Sequence, residues 1–412
     1  MRRVLVLGGG TAGTIAANKL RKRLDDRWQV TVVDRDGAHH YQPGYLLVPF
    51  GVYEPDEIVR SRRRYLADGV DFVCGEVEGI DPAACAVTLA DGRVLGYDYL
   101  LVAAGTTPRP DQTPGMDGEQ WRRSVHEFYT LSGAVALRGA LRAFDGGRLV
   151  VHVTEMPIKC PVAPLEFTFL VDAWLSERGL RDRVDITYVT PLEGAFTKPV
   201  ASTRLGGMLD ERGIGLEPDF VVDRVDEDAK TLVSVDDREV PFDLLVTVPL
   251  NMGADFVARS GLGNELNYVP VDRHTLLAKG FENIFAIGDA SDIPASKAGS
   301  VAHFSLDLFP DNFVAHVAGR PMTSLFDGHA NCFVESGHGK ALLIDFNYDT
   351  EPVPGKYPVP ALGPFSLLEE SAVNHWGKLM FRWMYWNVLL PGRPLPLPAR
   401  MTRAGKHFEH AA

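Results

Sequence analysis

A chain of 412 residues, 45% apolar and 23% charged with 40 glycines and 28 prolines, has the composition of a folded α/β protein with room for several cores. A formal charge of −12 argues against nucleic acid as a partner, because phosphate backbones attract basic surfaces. Four cysteines are too few for a disulfide scaffold, no leader-like apolar segment precedes the first strand, and no run of about 18 apolar residues offers a membrane span.

Residues Arg2–Leu20 read as a strand, a Gly-x-Gly-x-x-Gly turn (Gly8, Gly10, Gly13) and an amphipathic helix, followed by a strand Gln29–Val33 that ends in Asp34. Such glycines allow a tight turn and close approach of the backbone to a pyrophosphate on the helix N-terminus. Asp34, 21 residues after Gly13, falls where a carboxylate accepts from an adenosine ribose. His39–Glu54 is an aromatic, Pro/Gly-rich loop that either walls a flat cofactor ring or is an ordinary apolar loop. Strand grammar follows at Val70–Val77, in a hairpin turning on Asp91-Gly92, and in the apolar strand from Tyr97 that closes on Gly105 and Thr106.

That grammar recurs. Leu232–Pro249 aligns with the Ala86–Ala104 region at an offset of 146 residues before the turn and 145 after it, matching Val87 to Val233 and Asp98 to Asp243. A repeat of this length implies two copies of one nucleotide-binding architecture. Carried back, the offset sets Gly8, Gly10 and Gly13 opposite Thr154, Met156 and Lys159, and the next strand, Val184–Thr190, ends without an acid. The second copy is therefore not expected to hold a nicotinamide dinucleotide in the usual way. In its vacated loop Cys160 stands at the start of a helix, either as a replacement chemistry or as a buried thiol in a decayed site. Beside Lys159 and a helix N-terminus, its pKa is expected to be lowered. Cys74 and Cys85, in or beside strands, read as small core residues.

Val269–Leu276 returns toward the first unit, and the apolar strand Phe281–Ile287 closes on Gly288 and Asp289. A helix begins at Gly299 and carries His303. Ala330–Phe346 is a strand pair bearing Cys332, and a proline-rich connector leads to a last helix, roughly Leu367–Leu390. That helix has a very wide apolar surface and a narrow polar stripe of Asn374, Lys378 and Arg382. From Ser371 onward six Lys/Arg face one acid, which suits an interfacial anchor on anionic lipid; the bland alternative is a core or dimer-interface helix.

The glycine turn, Asp34, the Ala-Ala-Gly strand end and Ile-Phe-Ala-Ile-Gly-Asp-Ala together resemble the two-dinucleotide-fold flavoprotein reductases. Pro157-Ile-Lys-Cys-Pro-Val-Ala-Pro in place of glycines, Lys297-Ala-Gly-Ser-Val-Ala-His-Phe, and Asn331-Cys-Phe-Val-Glu narrow the resemblance to the sulfide:quinone oxidoreductase family, over nearly the whole chain. The resemblance implies an α/β fold of tandem Rossmann-like dinucleotide-binding domains with a C-terminal membrane-associating region. Its expected parts are an FAD-binding domain in two segments (1–110 and 269–320), a second Rossmann-like domain (111–268) and a C-terminal region (321–412). It further implies FAD held by Gly8, Gly10, Gly13, Asp34, Gly105, Gly288 and Asp289, with His303 on the flavin side. Cys160 and Cys332 would be the redox pair, Glu166 an acid assisting proton transfer, and Lys378, with Phe346, part of the quinone pocket. Some members carry a third cysteine upstream of the first; Trp121–Thr130 has none, which brings the chain nearer the two-cysteine members.

The implied activity is oxidation of sulfide to polysulfide or sulfane sulfur, with electrons passed through FAD to a membrane quinone. Sulfide, quinone and the membrane surface are then the partners, no metal is expected, the protein is expected as a homo-oligomer, and its expected place is the cytoplasmic face of the plasma membrane. The alternatives are an NADH:quinone reductase of the same architecture, a flavocytochrome-type sulfide dehydrogenase subunit, and a flavin-binding redox protein with vestigial cysteines.

Overall fold

The computed structural model describes residues 1–360, 362–395 and 397–408. Strand β1 (Arg2–Leu7) passes through the glycine turn into helix α1 (Thr11–Arg23), and the chain returns as β2 (Trp28–Asp34), β3 (Val70–Cys74) and β4 (Tyr99–Val102). The plan repeats with β5 (Val125–His126), β6 (Gly147–Val153), α2 (Ala163–Glu177), β7 (Val184–Val189), β8 (Gly215–Glu217) and β9 (Leu244–Val248). Then come β10 (Ile284–Ala286) and α3 (Gly299–Val317).

Two parallel five-stranded sheets result, in the orders β10-β4-β1-β2-β3 and β5-β9-β6-β7-β8. Parallel strands are covered on both faces, which is why runs such as Leu100–Val102 and Leu244–Val248 are apolar or small and fully buried. Strand order reverses at β1 in one sheet and at β6 in the other. Ligands of open α/β sheets bind beyond the carboxyl ends of the strands at such reversals. The glycine turn leaves β1 there, and the Thr154–Cys160 loop leaves β6 at the equivalent place.

The inserts repeat as well. A three-stranded antiparallel sheet lies between β3 and β4, and another between β8 and β9. The Asp98 carboxylate accepts from the Arg3 N–H at 2.6 Å while the Asp98 N–H donates to the Arg3 carbonyl. Asp243 makes the same clasp with Arg148, at 2.8 and 2.9 Å.

A third, mixed sheet follows: β11 (Ala330–Gly337), β12 (Lys340–Phe346), β13 (Gly355–Val359) and β14 (Gly363–Leu367), in the order β11-β12-β14-β13. The last helix, α4 (Ala372–Met384), begins later than its apolar pattern suggests: β14 runs to Leu367 and Leu368 then takes a left-handed conformation (φ 57). Ser371 caps it, its hydroxyl accepting from the Asn374 N–H at 3.1 Å. The helix ends in a wide turn, Tyr385–Leu389.

The orientation of α4 is the reverse of an ordinary surface helix. Its polar stripe faces the protein: Asn374 is fully buried and bonded to Ser366, Lys378 reaches Glu166, and Arg382 lies over the Tyr53 ring at 4.2 Å and pairs with Glu57. Its exposed face is apolar, with Val373, Trp376, Met380 and Trp383 between 47% and 67% accessible. The wide apolar surface is thus divided, because Tyr385, Trp386, Leu389 and Leu390 are buried in the core. There the Tyr385 hydroxyl bonds Thr11 and His39, both at 2.7 Å, and Asn18 of α1 donates to the Leu390 carbonyl. The aromatic loop after β2 completes this seat, with Tyr41 and Tyr385 rings 4.9 Å apart.

Candidate functional site

In the first unit the glycine turn is shaped by packing. A Cβ on Gly13 would sit 1.8 Å from the Gly8 carbonyl oxygen, and one on Gly8 would meet the Ala103 carbonyl at 2.5 Å. Gly10, just ahead of α1, faces open space instead. Asp34 at the end of β2 accepts from the Gly9 N–H at 2.6 Å and lies 3.1 Å from the guanidinium of the buried Arg62. The turn at Gly288, in a left-handed conformation (φ +62), lies against Ala12 of α1 and brings Asp289 to the same end of the sheet. Burial pushes the Asp289 carboxyl up, with Lys297 and Lys159 pulling the other way. Gly105 takes the left-handed turn that leaves β4 (φ +69).

His303 of α3 is 4% exposed and 3.5 Å from Asp307, yet neither ring nitrogen makes a hydrogen bond within the described residues. Burial lowers it to about 4, so the ring is neutral at pH 7 and free to donate or accept. A helix N-terminus that no side chain blocks, a carboxylate at the ribose position and an uncommitted buried imidazole fit FAD.

At the matching end of the second sheet, Cys160 stands three residues before α2 in a left-handed conformation (φ +47). That costs a non-glycine residue about 1–2 kcal/mol. Backbone bonds hold it: its N–H donates to the Lys297 carbonyl at 2.7 Å, and its carbonyl accepts from the Ala163 N–H at 2.8 Å. The expected lowering of the thiol pKa does not occur. Burial pushes the Cys160 thiol well up, with Glu166 and Cys332 adding to the effect and Lys378 opposing it. Lys159 turns away, its ammonium bonding Gln42 at 3.2 Å.

Cys332 sits on β11 opposite Ile344. Burial pushes it up to about 12, Glu166 again adding and Ser300 and Lys378 opposing. Both cysteines are free thiols here and answer to the same two groups. Glu166, 1% exposed on α2, accepts from the Glu335 N–H at 2.8 Å and pairs with Lys378. The Lys378 ammonium also donates to the Phe333 carbonyl at 3.4 Å. Removing one member of such a buried pair typically costs 3–5 kcal/mol, roughly half the stability of a domain.

Cys160, Cys332, Glu166 and Lys378 therefore converge from a loop, a strand and two helices. Phe346, opposite Ala330 on β12 and two residues along from the Cys332–Ile344 pair, has the Lys198 ammonium 5.5 Å from its ring centroid. The aromatics packed on α4 near Lys378 are Phe333 and Phe365, their rings 5.2 Å apart and both in contact range of Gly377. Cys74 is exposed at the edge of the first sheet, against the expectation of a core residue, and Cys85 is half-buried.

The sequence passed over Arg62 behind Asp34, and Lys297 except as part of a motif. Lys297 is 6% exposed, donates to the Asp289 and Ser291 carbonyls at 2.9 Å and lies 3.6 Å over the Tyr268 ring. Its own carbonyl holds the Cys160 N–H, so one residue ties the Gly288–Asp289 turn to the cysteine loop.

The family model described as pyridine nucleotide-disulphide oxidoreductase matches residues 2–151. The sulfide:quinone oxidoreductase, mitochondrial, of Dictyostelium discoideum is 24% identical over 95% of this chain and 86% of the relative. Its namesake in Schizosaccharomyces pombe is 25% identical over 93% of this chain and 89% of the relative. Among solved structures, the sulfide:quinone oxidoreductase of Aquifex aeolicus superposes with a TM-score of 0.76 at 20% identity, covering 94% of this chain and 92% of that one. In sequence over nearly its whole length and in fold, this chain is similar to the sulfide:quinone oxidoreductases, on the two-dinucleotide-fold plan.

Proposed function

We propose that the protein oxidises sulfide at Cys160 and Cys332 and passes the electrons by way of FAD to a quinone drawn from a membrane. One observation supports this reading: Cys160, in the loop that lacks the second set of glycines, and Cys332 feel the charges of the same Glu166 and Lys378. Gly8, Gly10, Gly13, Asp34, Gly105, Gly288, Asp289 and His303 would hold the cofactor. Bound FAD supplies the two-electron acceptor.

Buried thiols with raised pKa values are poor nucleophiles at neutral pH, so the competent form of the pair is the oxidised one. Hydrosulfide attacks one sulfur of a Cys160–Cys332 disulfide; a new S–S bond forms as a persulfide on that cysteine, the old one breaks, and the other cysteine leaves as thiolate. Burial opposes that thiolate, and Lys378 is the cation placed to stabilise it. Glu166 holds Lys378 in place and is the buried carboxylate whose charge both thiols feel, which makes it the candidate for proton transfer.

The outward apolar stripe of α4 supports a membrane surface as the source of quinone. Leu362 and Val359, 83% and 47% exposed beside the β13–β14 hairpin, are further exposed apolar side chains of the same region. Among the described residues no helix is long and apolar enough to cross a bilayer.

The test is anaerobic addition of sulfide, then a short-chain quinone, while the flavin spectrum is followed. Bleaching by sulfide and recovery with quinone are expected. A spectrum unchanged by sulfide, or one bleached by NADH instead, overturns the proposal.

A further inference from the structure

Two ionisable residues beside the sulfur site have no part in the chemistry above. Glu335 on β11 has a side chain only 2% exposed, while His375, on the first turn of α4, is 23% exposed. Nδ1 of His375 lies 2.9 and 3.1 Å from the two carboxylate oxygens of Glu335. The Glu335 backbone N–H binds Glu166, and Lys378, one helical turn after His375, binds Glu166 and the Phe333 carbonyl. His375, Glu335, Lys378 and Glu166 thus follow one another from the surface to the interior, with hydrogen-bonded pairs at either end and no direct bond between the Glu335 carboxylate and the Lys378 ammonium.

The proposed reaction needs such a route. As hydrosulfide goes to sulfane sulfur it gives up two electrons and one proton. A quinone takes two electrons and two protons to become quinol. Hydrosulfide, quinone and one solvent proton therefore give sulfane sulfur and quinol, with charge and hydrogen balanced, and the external proton is consumed in the quinone half.

We infer that His375 and Glu335 are the proton entry for quinone reduction, an assignment that rests on the sulfide:quinone reading. A solvent proton binds the imidazole of His375, whose N–H passes it to the Glu335 carboxylate. Lys378, which the family resemblance sets in the quinone pocket, comes next; it is paired with Glu166 rather than Glu335, and its flexible four-carbon stem lets the ammonium swing between the two carboxylates. Imidazole suits the outer position because one ring nitrogen can take up a proton while the other gives one to its partner. Burial pushes the Glu335 carboxyl up, with Lys378 and His375 opposing, which brings it closer to holding a proton. Burial works against the Lys378 ammonium, but Glu166, Glu335 and Cys160 keep it above the usual lysine range.

The other groups facing this path are Cys332 on β11 and Tyr53 from the aromatic loop, where Arg382 covers the ring. Arg212 reaches β11 at the Ser336 carbonyl, 2.7 Å away, but is paired with Asp172 and Glu370.

The experiment compares full-length, flavin-loaded wild type with Glu335→Gln and His375→Ala by anaerobic stopped flow, in H2O and D2O, from pH 6 to 9. Sulfide-driven bleaching is expected in all three. Quinone-driven recovery is expected to slow by about a hundredfold in both variants, the low end of general acid–base contributions. Its pH profile should change shape, and added imidazole should restore His375→Ala but not Glu335→Gln. Recovery at the wild-type rate with an unchanged pH profile and isotope effect overturns the assignment. So does a slowed His375→Ala that imidazole does not rescue, and that arm decides the matter if Glu335→Gln does not fold. A wild type that sulfide fails to bleach removes the functional reading, and the proton entry with it; a bleached wild type with unslowed variants removes the proton entry alone.

Discussion

Asp345 of β12 shows how this fold keeps charge inside. Its side chain is fully buried, with His329 at 2.8 Å and Lys406 at 2.5 Å. Burial alone would raise its pKa, but those two partners bring it below the ordinary value. A carboxyl more acidic folded than unfolded contributes its full stabilisation above about pH 3.9 and loses it as pH falls through the folded value. Asp345→Asn is therefore expected to cost about 3–5 kcal/mol at pH 7 by leaving His329 and Lys406 without their anion. Its unfolding midpoint in urea should approach that of wild type as the pH is lowered through 4; a constant gap between pH 7 and pH 3 would refute the assignment. Cys160 teaches the converse about reading residues from sequence. A neighbouring lysine and a helix start suggest an acidic thiol, and both are present. The lysine side chain nonetheless points to Gln42, the helix begins only at Ala163, and the surrounding burial decides the sign. Local spacing does not report which way a side chain turns.

Among the elements, α4 was legible in its division into polar and apolar faces but not in what its polar stripe binds. A three-residue polar stripe normally marks the solvent side of a helix. Here its partners are Ser366, Glu166 and Glu57, the last two more than 200 residues away in the chain, and no periodicity announces them. The helix starts later than its apolar pattern suggests, since Leu368 takes a left-handed conformation (φ 57) and Ser371 supplies the cap. The outward face gives a direct test. Burying an aromatic side chain in an apolar phase is worth roughly 2 kcal/mol. Trp376→Glu combined with Trp383→Glu should therefore lower binding to anionic liposomes at least about tenfold, while flavin content and melting temperature stay within error. Equal flotation of wild type and variant would remove the membrane role of this face.

For the molecule as a whole, the duplicated sheet was readable because its grammar is local: a strand, a hairpin and a second strand recur at a nearly fixed offset. The Arg3–Asp98 and Arg148–Asp243 clasps are the same solution found twice. What the sequence did not reveal is how the copies are joined. Lys297 belongs by its side chain to one and by its carbonyl to the other, and α2 packs on the third sheet so that Glu166 meets a strand 169 residues on. Such contacts depend on docking between units, for which a single sequence carries no period.

The seat of Tyr385 decides how this protein can be handled. Its hydroxyl stands between Thr11 and His39, the Trp386 ring lies under Arg60, and Asn18 caps Leu390, so the tail is fastened across the glycine turn like a latch. Trimming the chain after Leu367 to remove its greasy end would open that latch. The trimmed protein is expected to purify colourless, with at least about a tenfold lower ratio of 450 nm to 280 nm absorbance, because a helix terminus and its glycines must be held rigid to grip a diphosphate. A yellow preparation of that length would show the latch to be dispensable. For the intact chain, a detergent that peels the tail from α1 is also expected to bleed the flavin. Solubility and colour would then be properties that cannot be improved separately.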